Sequence, residues 1–320
     1  MKKKKLFGNT LKEQLLAGAE DRLYNFMLAE GMVRGAIIKC TKMINEMRAN
    51  HELGILESLV LGHAYMGACL MASGLKGNDM ISLQIDCSGP IKGLVVEANA
   101  LGEVRGYLKN VPISIEKELE DFNLSPFFGA GFLAVTKNLE DAKQPFSGQV
   151  ILEHGNIAQD LASYYLKSEQ ISTAFSLSIK FDSNGNITGA GGLFLQAMPG
   201  ADMEKVAEIE NLVPSFPSIG QAYADGKSPE GMINEVFHMY APNFIADERI
   251  EFFCRCTEDR LKGYLKILPE KDLKDISING PFPLELRCHY CNSIYHFQKE
   301  EIEQIYRDKK LLSNEGALVQ

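Results

Sequence analysis

Residues 175–198 read Phe-Ser-Leu-Ser-Ile-Lys-Phe-Asp-Ser-Asn-Gly-Asn-Ile-Thr-Gly-Ala-Gly-Gly-Leu-Phe-Leu-Gln-Ala-Met. Phe175, Leu177, Ile179 and Phe181 alternate with Ser176, Ser178 and Lys180, the period of a half-buried strand. Asp182-Ser183-Asn184-Gly185-Asn186 is a turn, and 187–198 returns as a second strand that Gly189, Gly191 and Gly192 weaken or bulge. Upstream, Ile81, Leu83 and Ile85 repeat the period, Ser88-Gly89-Pro90 turns, and 94–97, 104–108, 132–136 and 150–153 continue as strands. Helical spacing is read elsewhere. Leu11, Leu15, Leu16, Leu23 and Phe26 put residues 10–50 in helices, with a second run at 36–47; 59–75 and 156–170 add two more. Strands and helices in separate blocks predict an α+β core with antiparallel sheets and packed helices.

The chain has 320 residues, 45% hydrophobic and 23% charged, with a net charge of −9. An acidic chain lacks the Lys and Arg that nucleic-acid binding needs to displace counterions, so no nucleic acid is expected. Lys2, Lys3, Lys4 and Lys5 open the chain, but Gly8, Asn9 and Thr10 interrupt the apolar run a secretory signal needs; a solvated basic start is expected. Residues 59–75 carry no Asp, Glu, Lys or Arg, yet fall short of the ~20 residues of a spanning helix. They predict a buried helix, no membrane partner and a cytoplasmic protein. Gly129-Ala130-Gly131 precedes a strand-like run rather than a helix, so it is not a nucleotide loop.

The character changes at Pro199-Gly200. Residues 203–213 form a short amphipathic helix, Pro214, Pro217 and Gly220 interrupt, and Ser228-Pro229 starts another helix ending before Pro242. Residues 200–248 are thus short helices joined by breakers.

Seven cysteines sort into two groups. Cys40, Cys69 and Cys87 are solitary in apolar surroundings and fill core space. Cys254-Arg255-Cys256 and Cys288-His289-Tyr290-Cys291 are paired. Close pairs in a chain without an export signal point to metal or redox chemistry. Four thiolates close a tetrahedral shell around one Zn2+, and a closed shell leaves no place for a catalytic water, so no enzyme is expected. His289 and His296 are the alternative ligands. Bound thiolate is also the oxidisable form of sulfur, so spacing alone leaves a purely structural metal and a redox switch as equal readings. Cys288-x-x-Cys291 also raises a thiol oxidoreductase, without the strand–helix context for it. Residues 249–310 hold 12 Lys or Arg against 11 Asp or Glu, which offers a nucleic-acid-binding zinc module no basic face.

Phe252-Phe253-Cys254-Arg255-Cys256-Thr257-Glu258-Asp259-Arg260, then Cys288-His289-Tyr290-Cys291 with Tyr295 and Phe297, resemble the redox-regulated heat-shock chaperones, or 33 kDa chaperonins. The resemblance extends over most of the chain. It includes Leu75-Lys76-Gly77, Leu83-Gln84-Ile85, Gly89-Pro90, Val104-Arg105-Gly106-Tyr107, Ser168-Glu169-Gln170, Ala190-Gly191-Gly192 through Gln196, and Met198-Pro199-Gly200. Thr257 stands where a Ser is common, and the basic start is not a family feature. The resemblance implies an ATP-independent holdase of the stress response, inactive when reduced and zinc-bound. Oxidation would form the disulfides Cys254–Cys256 and Cys288–Cys291, release zinc, unfold module and linker, and expose apolar surface to unfolding client proteins. It also implies a core at 1–199, a metastable helical linker at 200–248 and a zinc module at 249–320, with Met203, Val206, Leu212, Val213, Met232, Val236 and Phe237 packed on the core when reduced and released to clients when oxidised, and a homodimer in the oxidised form.

Overall fold

The computed structural model describes residues 1–4, 21–115 and 123–317. They fall into two compact units, Lys4–Phe253 and a smaller one made of Met1–Lys3 with Cys254–Gln320. The larger unit is α+β, as expected. Its strands are β1 (Arg22–Leu28), β2 (Val33–Lys39), β3 (Met80–Cys87), β4 (Gly93–Asn99), β5 (Glu103–Leu108), β6 (Gly131–Asn138), β7 (Phe146–Ile151), β8 (Thr173–Phe181), β9 (Ile187–Ala197), β10 (Asn243–Arg249) and β11 (Glu251–Phe252). They build a five-stranded sheet ordered β10-β1-β2-β9-β8 and a six-stranded sheet ordered β11-β5-β4-β3-β6-β7. Helices α1 (Thr41–His51), α2 (Ile55–Ala72), α3 (Ser125–Phe128) and α4 (Ile157–Tyr164) belong to the same unit.

The hairpin read from 175–198 is β8–β9, and Asp182 supplies the turn chemistry: its side chain accepts from the backbone N–H of Asn184 and Asn186 at 2.9 and 2.8 Å. The charge-free segment forms most of α2, which packs against strands of both sheets. That helix is long and apolar enough to cross a membrane by composition alone, yet 89% of the window is buried within the protein. Its Tyr65 hydroxyl donates to the Gly106 carbonyl at 2.9 Å, which satisfies the one polar group a buried tyrosine brings.

One expectation fails. Residues 22–28 and 33–39 are strands, not helix, and only Thr41–His51 of that stretch is helical; Leu11, Leu15 and Leu16 lie outside the described residues. The physical reason is burial on both faces. Leu23, Phe26 and Leu28 are all buried although Leu23 lies on the opposite face of β1 from the other two. Covered on both sides, the strand loses its alternation, and the remaining Leu23/Phe26 spacing imitates a helix turn. Gly35, paired with Phe26, is required here, because a Cβ would lie 2.2 Å from the Phe26 ring.

One face of β1, β2 and β9 is covered by α5 (Met203–Glu210), α6 (Ile219–Ala224) and α7 (Pro229–Phe237). The helices at 203–210 and 229–237 fall where the sequence suggests, but Gly220, read as a breaker, lies inside α6, whose start Ser218 caps. Asp202, Ser218 and Ser228 accept the N-terminal N–H groups of their helices, and Pro229 occupies the first turn of α7. The segment then does something its sequence did not announce. Residues 243–249 form β10, an edge strand antiparallel to β1 with a bulge between Asn25 and Phe26. Every residue of β10 except Phe244 is exposed.

The smaller unit contains α8 (Glu258–Ile267), α9 (Glu270–Asn279), the hairpin β12 (Leu284–Arg287) with β13 (Ile294–Phe297), and α10 (Lys299–Ala317). Beside its cysteines, Leu261, Leu265, Leu273, Tyr295, Phe297, Ile302 and Ile305 are its buried apolar side chains among the described residues.

Candidate metal centre

The chain presents its four paired cysteines from two short segments. Cys254 and Cys256 lie on an extended stretch that Thr257 ends by capping α8, its Oγ1 accepting from the Arg260 N–H at 3.3 Å. Cys288 and Cys291 lie in the loop of the β12–β13 hairpin. There the Asn292 N–H donates to the Cys288 carbonyl at 2.7 Å, and the Cys288 N–H to the Ser293 carbonyl at 3.0 Å. Asn292 takes the left-handed φ of +53° that closes this turn, a conformation asparagine tolerates better than most residues.

The four sulfurs lie within 4.8 Å of one another, with Cys254 Sγ 3.8 Å from Cys288 Sγ and Cys256 Sγ 3.3 Å from Cys291 Sγ. Ligands at Zn–S distances of ~2.3 Å in a tetrahedron have sulfurs roughly 3.8 Å apart, so the cluster fits one such ion with small adjustments. Cys254, Cys256 and Cys291 are buried and Cys288 is half-buried. His289 and His296 are not part of the cluster. Short distances between sulfurs cross from one pair to the other, as a tetrahedral set requires, so proximity does not by itself select a disulfide pairing.

The surroundings favour negative sulfur on the first pair. Cys256 acts against Cys254, but the thiols of Cys288 and Cys291 outweigh it and bring Cys254 down to about 6. Hydrogen bonds from Cys254, Cys288 and Cys291 hold Cys256 far below the ordinary thiol range. Cys288 and Cys291 are pushed up by the same neighbours, since adjacent sulfurs resist carrying charge together. A bound cation removes that repulsion and draws all four toward thiolate. By contrast, burial pushes Cys69 up to about 12 and Cys40 well above the thiol range, which leaves both inert.

Two contacts were not legible as site features. Tyr295 Oη stands 3.3 Å from Cys256 Sγ and donates to the Cys256 carbonyl at 3.0 Å. Ser293 Oγ stands 3.2 Å from Cys291 Sγ. Tyr295 had a signal, its place just beyond the second pair, whereas Ser293 had none. Of the linker residues, Val206, Met232 and Phe237 are buried in the cluster over β1, β2 and β9; Leu212, Val213 and Val236 are partly buried against it; Met203 is 57% exposed.

Fold and site together define a class: an α+β protein whose C-terminal module gathers four cysteines able to hold a metal ion. The family model described as Hsp33 protein matches residues 21–298, and the chain belongs to that family. It is 32% identical to the 33 kDa chaperonin of Ruminiclostridium cellulolyticum over 90% of this chain and 98% of that one. It is 33% identical to the 33 kDa chaperonin of Lactobacillus delbrueckii subsp. bulgaricus over 91% and 99%. The crystal structure of the 33 kDa chaperonin of Thermotoga maritima superposes with a TM-score of 0.80 at 31% identity, covering 91% of this chain and 99% of that one.

Proposed function

We propose that this chain is a redox-switched, ATP-independent holdase that binds unfolding client proteins. Family membership supports the chaperone activity. The observation that carries the switch is the gathering of four sulfurs within 4.8 Å in a module with few buried apolar side chains. Cys254, Cys256, Cys288 and Cys291 would hold one Zn2+, which supplies on the order of 10–16 kcal/mol of apparent folding energy to modules of this kind. Seven buried aliphatic and aromatic side chains among the described residues supply far less than a large core does.

Oxidation acts on the sulfurs. A thiolate attacks peroxide to give a sulfenic acid and hydroxide, which takes a proton from solvent to leave as water, and the partner thiol then displaces a second water to form the disulfide. Each pair thus gives two electrons to one peroxide. Cys254–Cys256 and Cys288–Cys291 are the proposed disulfides, each closed within one short segment. Once both form, no thiolate remains to bind metal and the module loses its main source of stability. Residues 200–248 are the proposed linker between the core at 1–199 and the module at 249–320. Their release would bare the apolar face of β1, β2 and β9, where Phe26, Leu28, Val33, Ile37, Leu193 and Leu195 are buried under α5–α7. Val206, Met232 and Phe237 would change partners from this face to client, joined by Leu212, Val213, Val236 and Met203. A homodimer of the oxidised form and a cytoplasmic location complete the proposal.

The test is light scattering from a heat-unfolding client with reduced, zinc-loaded protein or with peroxide-oxidised protein. Suppression by the oxidised form alone supports the switch. Equal suppression by both leaves a constitutive chaperone with a structural metal, and suppression by neither sinks the holdase.

A further inference from the structure

The first residues of the chain belong to the four-cysteine unit, far from it in sequence and outside the span matched by the family model. The Met1 backbone nitrogen donates to the Cys256 carbonyl at 2.8 Å, the same oxygen that Tyr295 Oη reaches. The Lys2 N–H donates to Ser293 Oγ at 3.0 Å, and that hydroxyl lies 3.1 Å from the Lys2 carbonyl. Lys2 Nζ donates to the Ile294 carbonyl at 3.2 Å and sits 4.6 Å above the centre of the Tyr295 ring. Ser293 is buried, and its Oγ also touches Cys291 Sγ at 3.2 Å.

These contacts reach both ligand-bearing segments. Cys256 belongs to the first pair; Ser293 and Ile294 follow the second. We propose that Met1 and Lys2, the first held on the Cys256 carbonyl and the second on Ser293, strap the two segments together and so retain the metal and slow oxidation of the cluster. Metal loss requires one segment to swing away after its first sulfur lets go. A strap anchored on both segments returns that sulfur to the ion before the second can leave. It also covers the Cys256 and Cys291 side of the cluster, so oxidant arrives there when the strap lifts. The inference rests on the metal reading given above; Lys2 and Ser293 are positioning residues, not ligands.

Lys3, Lys4 and Lys5 repeat the Lys2 side chain, so a truncation would let a neighbour slide into place. Substitution is the cleaner test. Lys2→Pro removes both the N–H given to Ser293 and the ammonium, Lys2→Ala removes the ammonium alone, and Ser293→Ala removes the shared hydroxyl. The readout is the rate of zinc release from the reduced, zinc-loaded full chain to a competing chelator, and separately under peroxide. From the net worth of a few hydrogen bonds and one exposed cation–π contact, Lys2→Pro should release zinc about tenfold faster in both assays, and Lys2→Ala roughly two- to threefold faster. The pair Lys2→Pro with Ser293→Ala should be slower than the product of the two single effects, because both break the shared Lys2–Ser293 contact while each also removes contacts of its own.

Wild-type rates in Lys2→Pro overturn the strap, as does a double variant whose rate is the product of the two single effects. Faster release to chelator with no peroxide response in the wild type keeps the strap and sinks the switch. A wild-type chain that takes up no zinc sinks the metal reading instead. Amide hydrogen exchange at 254–257 and 293–295 then decides the strap, which requires faster exchange in Lys2→Pro.

Discussion

In the Lys4–Phe253 unit, Phe26, Ile37, Leu193 and Phe237 are each at most 1% exposed, and they are a small part of a core spread over two sheets and α2. In the Cys254–Gln320 unit, a short row of buried side chains sits beside four sulfurs drawn to one point. The first region spreads its stability over many contacts that no single reagent removes. On the metal reading proposed above, the second would concentrate it in atoms of one chemical kind, the kind a two-electron oxidant acts on. A fold so divided would lose one region and keep the other.

The sharpest way to break this contrast is Cys291→Ser. It should weaken zinc binding by roughly a hundredfold or more, because losing a ligand costs at least as much as losing an outer partner. Residues 254–310 should lose exchange protection while the β3–β4 and β8–β9 amides keep theirs; loss of protection throughout would show that the regions are not independent. Phe237→Ala should cost about 3–5 kcal/mol, measured by urea unfolding, because it empties a fully buried site between α7 and the sheet. It should also give partial holdase activity without oxidant. Full inactivity until oxidation would separate linker packing from the switch.

Asp21 sharpens the comparison through pH. Its carboxyl is buried and raised from 3.8 to about 7, chiefly by desolvation, against the opposing N–H groups of Met43 and Lys42. The folded state therefore holds a proton that the unfolded chain releases between about pH 4 and 7. Its contribution is complete below pH 4 and is lost as pH rises through 7, by at most ~1.4 kcal/mol per pH unit crossed. Asp21→Asn should flatten this slope in urea midpoints between pH 5 and 8; an unchanged slope would assign it to other groups. The smallest effect belongs to the module: Thr257→Ala removes the α8 cap and should cost ~1 kcal/mol. It should show only after zinc is stripped, since the bound ion otherwise dominates.

The hairpin at 175–198 was legible because one strand keeps its alternation and the turn needs Asp182 and Gly185, whose φ is +75°. The four ligands were legible because ligand spacing is local within each pair. Strands β1 and β2 were not, since burial on both faces erases the period that marks a strand. Strand β10 was hidden for a different reason. Its apolar residues Phe244, Ile245 and Ala246 are adjacent rather than alternating, only Phe244 is even partly buried, and the segment pairs along the open edge of β1.

Sequence alone determined the class of fold, the buried nature of α2, the helix start at Ser228, and the set of four cysteines, because each depends on residues near one another in the chain. Tertiary structure decided which segments meet. It brought 254–256 to the 288–291 loop, laid α5–α7 over β1, β2 and β9, paired 243–249 with β1, and placed Lys2 on Ser293. Those choices turn on long-range packing and on backbone groups seeking partners, and neither leaves a periodic mark on the residues that make them.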